Sequence, residues 1–313
     1  TRPTDVSLNT DLYELTMAQG FWESGLVDAE ACFTVFFRDA PFDGGYAIAC
    51  GTGQIADLVE NFRYTDEDIA YLGSIQAPGG GALFKPAFLE WLGGFAMDVD
   101  VWAVPEGQVV FPREPLITVR APAIQAQLVE TYLLLQINHQ SLIATKASRI
   151  CRAAQGRTVL EFGSRRAQGA DGAILGARAA YIGGCAGTAC TISDEVYGVY
   201  AGGTMAHSWV QMFDSEYDAF RTYCESYPTN AVLLVDTYNT LKSGIPNAIR
   251  AFNDVLKPMG ITKCGIRLDS GDMSYLTKEA RRMLDEAGWE SCTITCSNSL
   301  DEYIIQDLSL IHI

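Results

Sequence analysis

Positive charge is scarce in this sequence: 22 Lys and Arg stand against 38 Asp and Glu, and the formal net charge is -16. Nucleic acid and anionic lipid bind clustered cations, so this deficit argues against both as partners. The sequence also lacks any apolar run near the roughly 20 residues that a membrane-spanning helix needs, and its polar start has no signal-peptide core. We therefore expect a globular, cytoplasmic protein with no nucleic-acid partner and no membrane partner.

The cysteines do not form an obvious disulfide framework. Their number, nine, is odd, and most lie in apolar, strand-like runs, as Cys264, Cys292 and Cys296 do. Cys292 and Cys296 have the spacing of a weak metal or redox motif, but no second cysteine or histidine pair lies nearby to complete a metal site. The pattern favours buried free thiols and identifies no metal ligands.

The first 123 residues mix helical and strand-like patterns. Apolar residues recur at helical spacing over 11–23 and 54–72, and the run from Thr65 to Asp68 is typical of a helix start. A Pro-Gly-Gly-Gly turn at 78–81 precedes a further helix. The predicted strands are 31–38, 46–50, 99–104, 108–111 and 116–120. We assign residues 1–123 to a mixed α+β N-terminal domain.

Residues 124–313 follow a different rhythm, which we assign to a second domain. A long helical stretch runs to about Ala154, and short apolar strands then alternate with amphipathic helices. The predicted strands are 158–162, 184–188, 203–207, 231–236, 263–268 and 291–296, and the helices between them include 215–225, 246–256 and 277–287. This alternation predicts a parallel α/β sheet or barrel, and six strands permit either an incomplete eight-stranded barrel or a doubly wound sheet.

Polar side chains collect at or just beyond the carboxyl ends of these predicted strands. They are Arg165, His207, Asp236, Asp269 and Asn298. Barrels and open parallel sheets both bind their ligands at that edge. The arrangement therefore predicts a ligand site there.

Six short segments carry a more specific signal by their order and spacing. They lie at 10–17, 36–38, 161–169, 203–208, 235–238 and 267–272. Together they resemble the nicotinate phosphoribosyltransferase family from residue 10 to about residue 306. The resemblance implies an irregular α/β barrel of the type II phosphoribosyltransferase kind, incomplete in this chain, with a mixed α+β N-terminal domain. It also implies a homodimer whose active sites lie at the subunit boundary.

The resemblance further implies a reaction. Members of the family transfer phosphoribosyl from phosphoribosyl pyrophosphate to nicotinate, giving nicotinate mononucleotide and pyrophosphate in NAD biosynthesis or salvage. The transfer is coupled to ATP, and Mg²⁺ accompanies the phosphates. The expected ligands are therefore nicotinate, phosphoribosyl pyrophosphate, ATP and Mg²⁺.

His207 is the candidate for phosphorylation by ATP. A lone histidine is more often a hydrogen-bonded structural residue. The predicted strand-end position and the surrounding motif favour function instead, because the matching histidine of the family is transiently phosphorylated and imidazole is a competent nucleophile.

Asp236 and Asp269 are the other two catalytic candidates. Aspartate before Gly or Thr is commonly a cap or turn residue, which is the role we expect for Asp272. For Asp236 and Asp269 the resemblance favours carboxylates that hold ribose hydroxyls or Mg²⁺ and stabilise positive charge on the sugar.

The candidate substrate-binding residues are Tyr13, Arg38, Phe162, Arg165, Ser208, Arg267 and Asn298. Guanidinium groups match carboxylate and phosphate oxygens two at a time, although ordinary surface arginines remain the alternative. By resemblance, Arg165 and Arg267 lie near nicotinate and ribose, and Arg38 reaches pyrophosphate. Phe162 resembles one of the aromatic residues that sandwich the pyridine ring, with Tyr13 supplied by the partner subunit. A core role for Phe162 is compatible with stacking.

Two features of the sequence argue against a dinucleotide-binding fold and against a P-loop fold. The run Gly51-Thr52-Gly53-Gln54-Ile55-Ala56 fits the dinucleotide fingerprint, but the acidic helix that follows replaces the required second strand and its terminal acid. No P-loop sequence occurs either. ATP would then share the site of phosphoribosyl pyrophosphate.

The sequence departs from the family pattern at two places. Ala189-Cys190 stands where the family has two hydrogen-bonding residues, which leaves contacts to the base open. The helical segment at 300–308 runs into 309–313 with neither a cap nor a following strand. We expect a C-terminally truncated, inactive chain that lacks the phosphate-binding loop and the last barrel strands. Its last few residues, with His312, would be foreign sequence.

Two alternatives stay open. The related nicotinamide phosphoribosyltransferases place an acidic residue beside the amide, at a position that falls near Ala186 here. The second alternative is a catalytically inactive relative that only binds pyridine nucleotides or a partner subunit. The motif residues present at Tyr13, Arg165, His207, Asp236 and Asp269 argue against loss of activity.

Overall fold

The structure, a computed structural model, describes residues 6–309, so His312 lies outside the described residues. These residues form two compact units. Unit 1 consists of residues 6–148 and 160–200, and unit 2 consists of residues 149–159 and 201–309. The division at residues 123 and 124 that the sequence suggests stays a prediction.

The secondary structure alternates helices and short strands along the chain. The helices are α1 (Leu12–Glu23), α2 (Thr52–Asn61), α3 (Asp66–Ser74), α4 (Pro86–Gly93), α5 (Ala123–Leu128), α6 (Glu130–Ala153), α7 (Ala170–Ile182), α8 (Thr191–Tyr197), α9 (His207–Gln211), α10 (Glu216–Ser226), α11 (Ile245–Ala251), α12 (Met273–Glu286) and α13 (Glu302–Ser309). The strands are β1 (Glu30–Val35), β2 (Ala47–Ile48), β3 (Asp100–Ala103), β4 (Val109–Val110), β5 (Ile117–Pro122), β6 (Leu160–Glu161), β7 (Gly187–Thr188), β8 (Val232–Leu234), β9 (Gly265–Leu268) and β10 (Thr293–Cys296).

Unit 1 combines antiparallel and parallel pairing. Strands β1, β5 and β3 form an antiparallel sheet in that order, β2 pairs with β4, and β6 pairs in parallel with β7. The alternating buried residues of β5 face a core that includes Phe88, Ile117 and Ile124. Helix α3 begins as the sequence predicts, because the Thr65 hydroxyl and the Asp68 carboxylate form a capping box.

Unit 2 contains a parallel sheet in the order β10, β9, β8. Fully buried side chains such as Phe220, Leu233 and Phe252 fill the core beside it. Asp272 caps α12 by accepting a hydrogen bond from the Tyr275 amide at 3.1 Å, which confirms the predicted cap. The helix therefore begins four residues before the predicted start at 277.

One predicted strand is wrong. Residues 203–206 form no strand, and His207 begins α9 rather than ending a strand. The physical reason lies in a side chain: the Arg267 guanidinium donates to the Thr204 hydroxyl and to the Met205 carbonyl oxygen. These bonds tie Thr204 and Met205 to Arg267, and residues 203–206 pair with no strand in the described chain.

Candidate active site

Three polar residues follow the strands of the unit 2 sheet, where their carboxyl ends meet. Asp236 follows β8, Asp269 follows β9, and Asn298 follows β10. Because these strands are parallel and neighbouring, the chain brings the residues to one edge. Hydrogen bonds join them: the Asp269 amide donates to Asp236 Oδ2 at 2.9 Å, and Asn298 Nδ2 donates to the Asp269 carbonyl at 3.1 Å.

Asp269 is the most strongly held of the three side chains. Its Oδ1 accepts a hydrogen bond from Arg267 at 2.6 Å and another from Ser297 Oγ at 2.5 Å. Burial opposes ionisation, but these two hydrogen bonds outweigh it and lower the pKa of Asp269. The carboxylate is therefore negatively charged at neutral pH.

Asp236 has one satisfied and one unsatisfied carboxylate oxygen. Oδ2 accepts hydrogen bonds from the Asp269 amide and from Ser270 Oγ, the latter at 2.6 Å. Oδ1 is buried and has no hydrogen-bond partner within residues 6–309. A buried carboxylate oxygen without a partner is costly, so Oδ1 favours a ligand that supplies a cation or a donor.

His207 lies beside this carboxylate pair. Its Nδ1 is 3.1 Å from Thr237 Oγ1, within hydrogen-bond distance. Its Nε2 is 3.7 Å from Asp269 Oδ2, which is too long for a hydrogen bond and becomes an ion-pair distance when the imidazole is protonated. The His207 side chain is 40% exposed. The structure thus brings together the three residues that the sequence suggests for catalysis.

The guanidinium of Arg267 is already hydrogen-bonded to several groups of the protein. Its guanidinium donates to Ser297 Oγ at 2.8 Å and to Asp269, as well as to Thr204 and Met205. The side chain is only 13% exposed. These contacts fit a residue that positions Asp269, and a direct contact with substrate stays a prediction.

A cavity of about 350 Å³ adjoins this edge of unit 2. The loops after β9 and β10 supply its polar wall, including Asp269, Ser270 and Asn298. Asn298 adopts a positive φ of 73°, a conformation that asparagine tolerates better than most residues. Ser208 is exposed on the first turn of α9 and does not line this cavity.

Unit 1 carries the predicted base-binding residues Phe162 and Arg165 just after β6. Phe162 is half-buried, and Arg165 is exposed in a short helical turn. Glu161 fixes this loop: its side chain accepts a hydrogen bond from the Gly163 amide and one from Thr188 Oγ1 at 2.6 Å. Cys190, at the departure from the family pattern, is buried, and its amide donates to Thr188 Oγ1.

Tyr13 lies on a different surface of unit 1. It is 50% exposed on α1 and lines an apolar cavity of about 500 Å³ together with Phe36, Leu134, Leu135 and Leu142. We call this surface the α1–α6 groove. Arg38 is exposed in the loop after β1 and does not line the groove.

Glu14, the residue after Tyr13 on α1, is buried. It has no exposed surface, and neither of its carboxylate oxygens has a hydrogen-bond partner in the described part of the chain. Burial raises the pKa of Glu14 to about 7; the neighbouring Tyr13 hydroxyl acts in the opposite direction, and the charge of Glu130 adds a smaller rise. The carboxyl group is therefore half-protonated near neutral pH.

The Gly51 to Gly53 segment, which fits the dinucleotide fingerprint and forms the start of α2, binds a protein carboxylate. Glu106 Oε1 accepts a hydrogen bond from the Gly51 amide at 2.6 Å, and its Oε2 pairs with Arg178 at 2.5 Å. Gly51 has a φ of 110°, and a Cβ there would lie 2.5 Å from the Gln136 carbonyl oxygen. The glycine is thus required by packing, which supports the structural interpretation of this segment.

Sequence reasoning misses the hydroxyl residues that orient the site. Thr237 contacts His207, Ser297 contacts Asp269, and Ser270 contacts Asp236. Each stands next to a predicted site residue or one position further along. Thr237 and Ser270 also lie within the motif segments 235–238 and 267–272, whereas adjacency to Asn298 is the signal for Ser297.

Residues 6–309 contain no group of three or more His, Cys, Asp or Glu side chains placed to hold a metal ion. None of their helices combines the length and the apolar character that crossing a membrane demands.

Comparison with known proteins identifies a family model and relatives that are similar to this chain. Residues 8–138 match the family model described as the nicotinate phosphoribosyltransferase (NAPRTase) N-terminal domain. The chain is 44% identical over 305 residues to nicotinate phosphoribosyltransferase of Bacillus subtilis (strain 168), covering 97% of this chain and 60% of that protein. It is 44% identical over 298 residues to nicotinate phosphoribosyltransferase pncB2 of Mycobacterium tuberculosis (strain ATCC 25618 / H37Rv), covering 95% of this chain and 62% of that protein.

A solved structure supports the fold assignment. Human nicotinic acid phosphoribosyltransferase is similar with a TM-score of 0.88 and 32% identity, and the match covers 96% of this chain and 70% of that chain. This likeness confirms the expected fold class, an α/β fold of the type II phosphoribosyltransferase kind. Within residues 6–309 the strands form separate short sheets. The chain spans less than two thirds of the length of the two bacterial relatives.

Proposed function

Because the chain belongs to the nicotinate phosphoribosyltransferase family, we propose that the whole protein transfers phosphoribosyl from phosphoribosyl pyrophosphate to nicotinate, coupled to ATP hydrolysis. The products are nicotinate mononucleotide and pyrophosphate, made in the cytoplasm for NAD biosynthesis or salvage. The observation that carries the proposal is the cluster of His207, Asp236 and Asp269 at the carboxyl edge of the unit 2 sheet. That edge is where parallel α/β folds bind ligands.

The carboxylates act on the sugar through charge. Displacement of pyrophosphate by the nicotinate ring nitrogen builds positive charge at the anomeric carbon, and a fixed negative group nearby stabilises it. Asp269 suits this role because Arg267 and Ser297 hold it in place and keep it ionised. Since the geometry is fixed before substrate binds, little reorganisation is needed during the reaction.

Mg²⁺ is the ion that we propose to accompany the phosphates. Asp236 would contribute to holding it, since its Oδ1 lacks a protein partner in the described chain, and Asp269 lies next to it. The described residues supply too few ligands for a complete metal site, which fits an ion held by one or two carboxylates plus substrate phosphates. When bound, the ion neutralises charge on the leaving pyrophosphate.

His207 is the proposed phosphoryl acceptor. If Nδ1–H donates to Thr237 Oγ1, the lone pair of the ring lies on Nε2, which has no hydrogen bond to Asp269 at 3.7 Å. Attack by Nε2 on the γ-phosphorus of ATP forms the N–P bond and breaks the bond to ADP. The phosphorylated ring carries a positive charge, which the Asp269 carboxylate stabilises.

Arg165 and Phe162 are the proposed partners of nicotinate. An exposed guanidinium can pair with the nicotinate carboxylate through two hydrogen bonds, whereas the amide of nicotinamide offers no negative charge. The half-buried ring of Phe162 can stack against the pyridine ring. We therefore propose that nicotinate is preferred over nicotinamide.

Substrate competition tests the proposed function. The whole protein should convert nicotinate in the presence of phosphoribosyl pyrophosphate, Mg²⁺ and ATP, and it should convert nicotinamide at a negligible rate under the same conditions. Mononucleotide formation is measured by chromatography. A preference for nicotinamide would assign the protein to the other activity, and conversion of neither base would favour an inactive relative.

The His207→Ala variant tests the coupling. It should abolish nicotinate-dependent ATP hydrolysis and the acid-labile phosphate on the protein, while some ATP-independent phosphoribosyl transfer remains. Retention of the acid-labile phosphate would place phosphorylation on another residue. His139, which contacts the Gly172 carbonyl oxygen in unit 1, offers a matched control, and His139→Ala should keep the phosphate.

We also propose a homodimer in which Tyr13 of each subunit completes the partner's active site. The α1–α6 groove presents Tyr13 among exposed apolar side chains, and exposed apolar surface of this kind marks interfaces. A second copy is the occupant that we expect, because a symmetric interface would carry Tyr13 of both chains into it.

Subunit mixing tests the shared site. Tyr13→Ala and His207→Ala should each lower activity strongly. When they are mixed after dissociation, about half of the dimers combine one chain of each kind, and each has one intact site of two. Activity should then recover to about a quarter of the unmodified level. Absence of any recovery, with dimers confirmed by light scattering, would show that each site is formed by one chain.

A further inference from the structure

Two buried cysteines are neighbours across the amino ends of adjacent parallel strands in unit 2. In the parallel ladder of β9 and β10, Gly265 pairs with Thr293, so Cys264 and Cys292 each precede the first paired residue of their strand. The Thr293 amide donates to the Cys264 carbonyl oxygen at 3.0 Å, which ties the two chain segments together at this point. The side chains are 7% and 2% exposed, respectively.

The spacing of the strands suits a covalent link. Neighbouring strands lie about 4.8 Å apart, and residues in register direct their side chains to the same face. A disulfide accommodates Cα separations of about 4.4–6.8 Å. Cys292 Sγ donates to the Thr293 carbonyl oxygen at 3.7 Å, and the Thr293 amide is in turn hydrogen-bonded to the Cys264 carbonyl oxygen. A bond between the sulfurs therefore needs no change in strand register.

The surroundings favour Cys264 as the reactive thiol. The neighbouring Cys292 thiol lowers the pKa of Cys264, while burial opposes this change and Arg281 assists it. Arg281 is held beside the pair, because its guanidinium donates to the carbonyl oxygens of Cys292 and Trp289 at 2.7 and 2.8 Å. By contrast, burial raises the pKa of Cys224 to about 12.

We propose that Cys264 and Cys292 form a dithiol site that small disulfides oxidise to an intramolecular disulfide. In the first step the Cys264 thiolate attacks one sulfur of the oxidant, whose S–S bond breaks to release one thiolate. The Cys292 thiol then loses its proton and attacks Cys264 Sγ, which displaces the second thiolate. Two protein S–H groups are oxidised, and one small disulfide is reduced to two thiols, which carry the two protons.

The disulfide would join two strands of the sheet that carries the candidate active site. Residues 264–292 enclose β9, the Asp269 loop and α12, and the carboxyl ends of the same two strands carry Arg267 and Ser297. Oxidation at the amino end of the strands therefore restrains the chain that shapes the other end, without using any residue of the site.

Native-state oxidation tests the proposal. The folded protein is treated with 2-hydroxyethyl disulfide, the remaining thiols are alkylated in denaturant, and the digest is analysed by mass spectrometry. We expect a mass loss of two hydrogen atoms and one linked pair of peptides joined through Cys264 and Cys292. A reducing agent should reverse the change. Linkage through Cys224 or Cys296, or alkylation of both Cys264 and Cys292 after long treatment, would overturn the proposal.

Single variants separate the pair from its neighbours. Cys292→Ser should stop the reaction at the mixed disulfide on Cys264, visible as the added mass of one 2-hydroxyethylthio group. Cys264→Ser should slow all modification by about tenfold, because the more reactive thiol is lost. Cys224→Ser and Cys296→Ser are the matched controls and should form the link at the unmodified rate. If Cys224→Ser abolishes the link, Cys224 is the true partner. Should a variant fail to fold, peptide mapping of the oxidised unmodified protein still identifies which two cysteines are joined.

Discussion

Replacing Glu14 with glutamine should stabilise unit 1 at alkaline pH and have much less effect at acidic pH. The Glu14 side chain is fully buried, and neither carboxylate oxygen has a hydrogen-bond partner in the described residues. Burial raises its pKa from 4.5 to about 7. Glutamine has nearly the same shape as the protonated carboxyl group but cannot ionise, so it removes the cost of burying the charge.

The sign and size follow from proton linkage. Between pH 4.5 and 7 the folded state keeps the Glu14 proton while the unfolded chain releases it, so stability falls as pH rises through this window. Below pH 4.5 Glu14 is protonated in both the folded and the unfolded protein, so its titration costs no stability. Each unit of pKa shift corresponds to about 1.4 kcal/mol. From pH 5 to pH 8 the variant should therefore gain about 2–3 kcal/mol on the unmodified protein.

Hydrogen exchange measures the effect where it arises. Exchange of α1 amides, followed by mass spectrometry across a urea series, gives the free energy of the opening that exposes Glu14. The comparison is made at pH 5 and at pH 8. Glu60→Gln is the matched control, since Glu60 is exposed on α2, and its effect should be within about 0.5 kcal/mol at both values.

A difference between Glu14→Gln and the unmodified protein that is the same at both pH values would refute the reasoning. It would mean that the carboxyl group keeps one protonation state throughout. A variant that is less stable by the same amount at pH 8 would show that the carboxylate is ionised and compensated by a cation.

Three further outcomes are expected. Arg178→Met should destabilise unit 1 by about 3 kcal/mol in urea unfolding, because it leaves the Glu106 carboxylate buried without its cation, and adding Glu106→Gln should recover part of the loss. Gly244→Ala should destabilise unit 2 by about 3 kcal/mol or more in thermal melts, since its Cβ would lie 1.8 Å from the Val235 carbonyl oxygen. Gly203→Ala is the control: its Cβ would meet no atom within 4 Å, so stability should not change. Thr237→Val removes the hydrogen bond to His207 and, on the proposed function, should slow formation of acid-labile phosphate about tenfold in rapid-quench assays without changing the KM for nicotinate.

Local chemistry makes parts of the fold predictable. Thr65 and Asp272 are recognisable as helix starts because short polar side chains before an apolar run favour capping. Residues 203–207 are wrongly predicted as a strand because the force that shapes them is not local. Arg267, more than 60 residues away in the chain, binds this segment through its side chain, and no pattern in the segment itself indicates that contact.

The candidate site likewise contains residues that the sequence predicts and residues that it does not. Asp236, Asp269 and Asn298 can be found from sequence because the carboxyl ends of parallel strands meet at one edge. The burial of Glu14 cannot, since its position in α1 resembles that of the exposed Tyr13 and depends on the packing of other elements. Cys264 and Cys292 are recognisable as buried thiols, but their proximity requires the register of β9 on β10.

The four contacts of Arg267 have a consequence for how this protein can diverge. The guanidinium joins Thr204, Asp269 and Ser297, which come from three separate stretches of chain. A replacement at any one of them leaves a partly buried donor or acceptor unmatched at the others. Effects of paired substitutions among these positions should therefore be strongly non-additive, with a second change often tolerated only after the first. We therefore expect neutral substitutions at these positions of unit 2 to occur together. Residues on the exposed helix faces can be replaced one at a time.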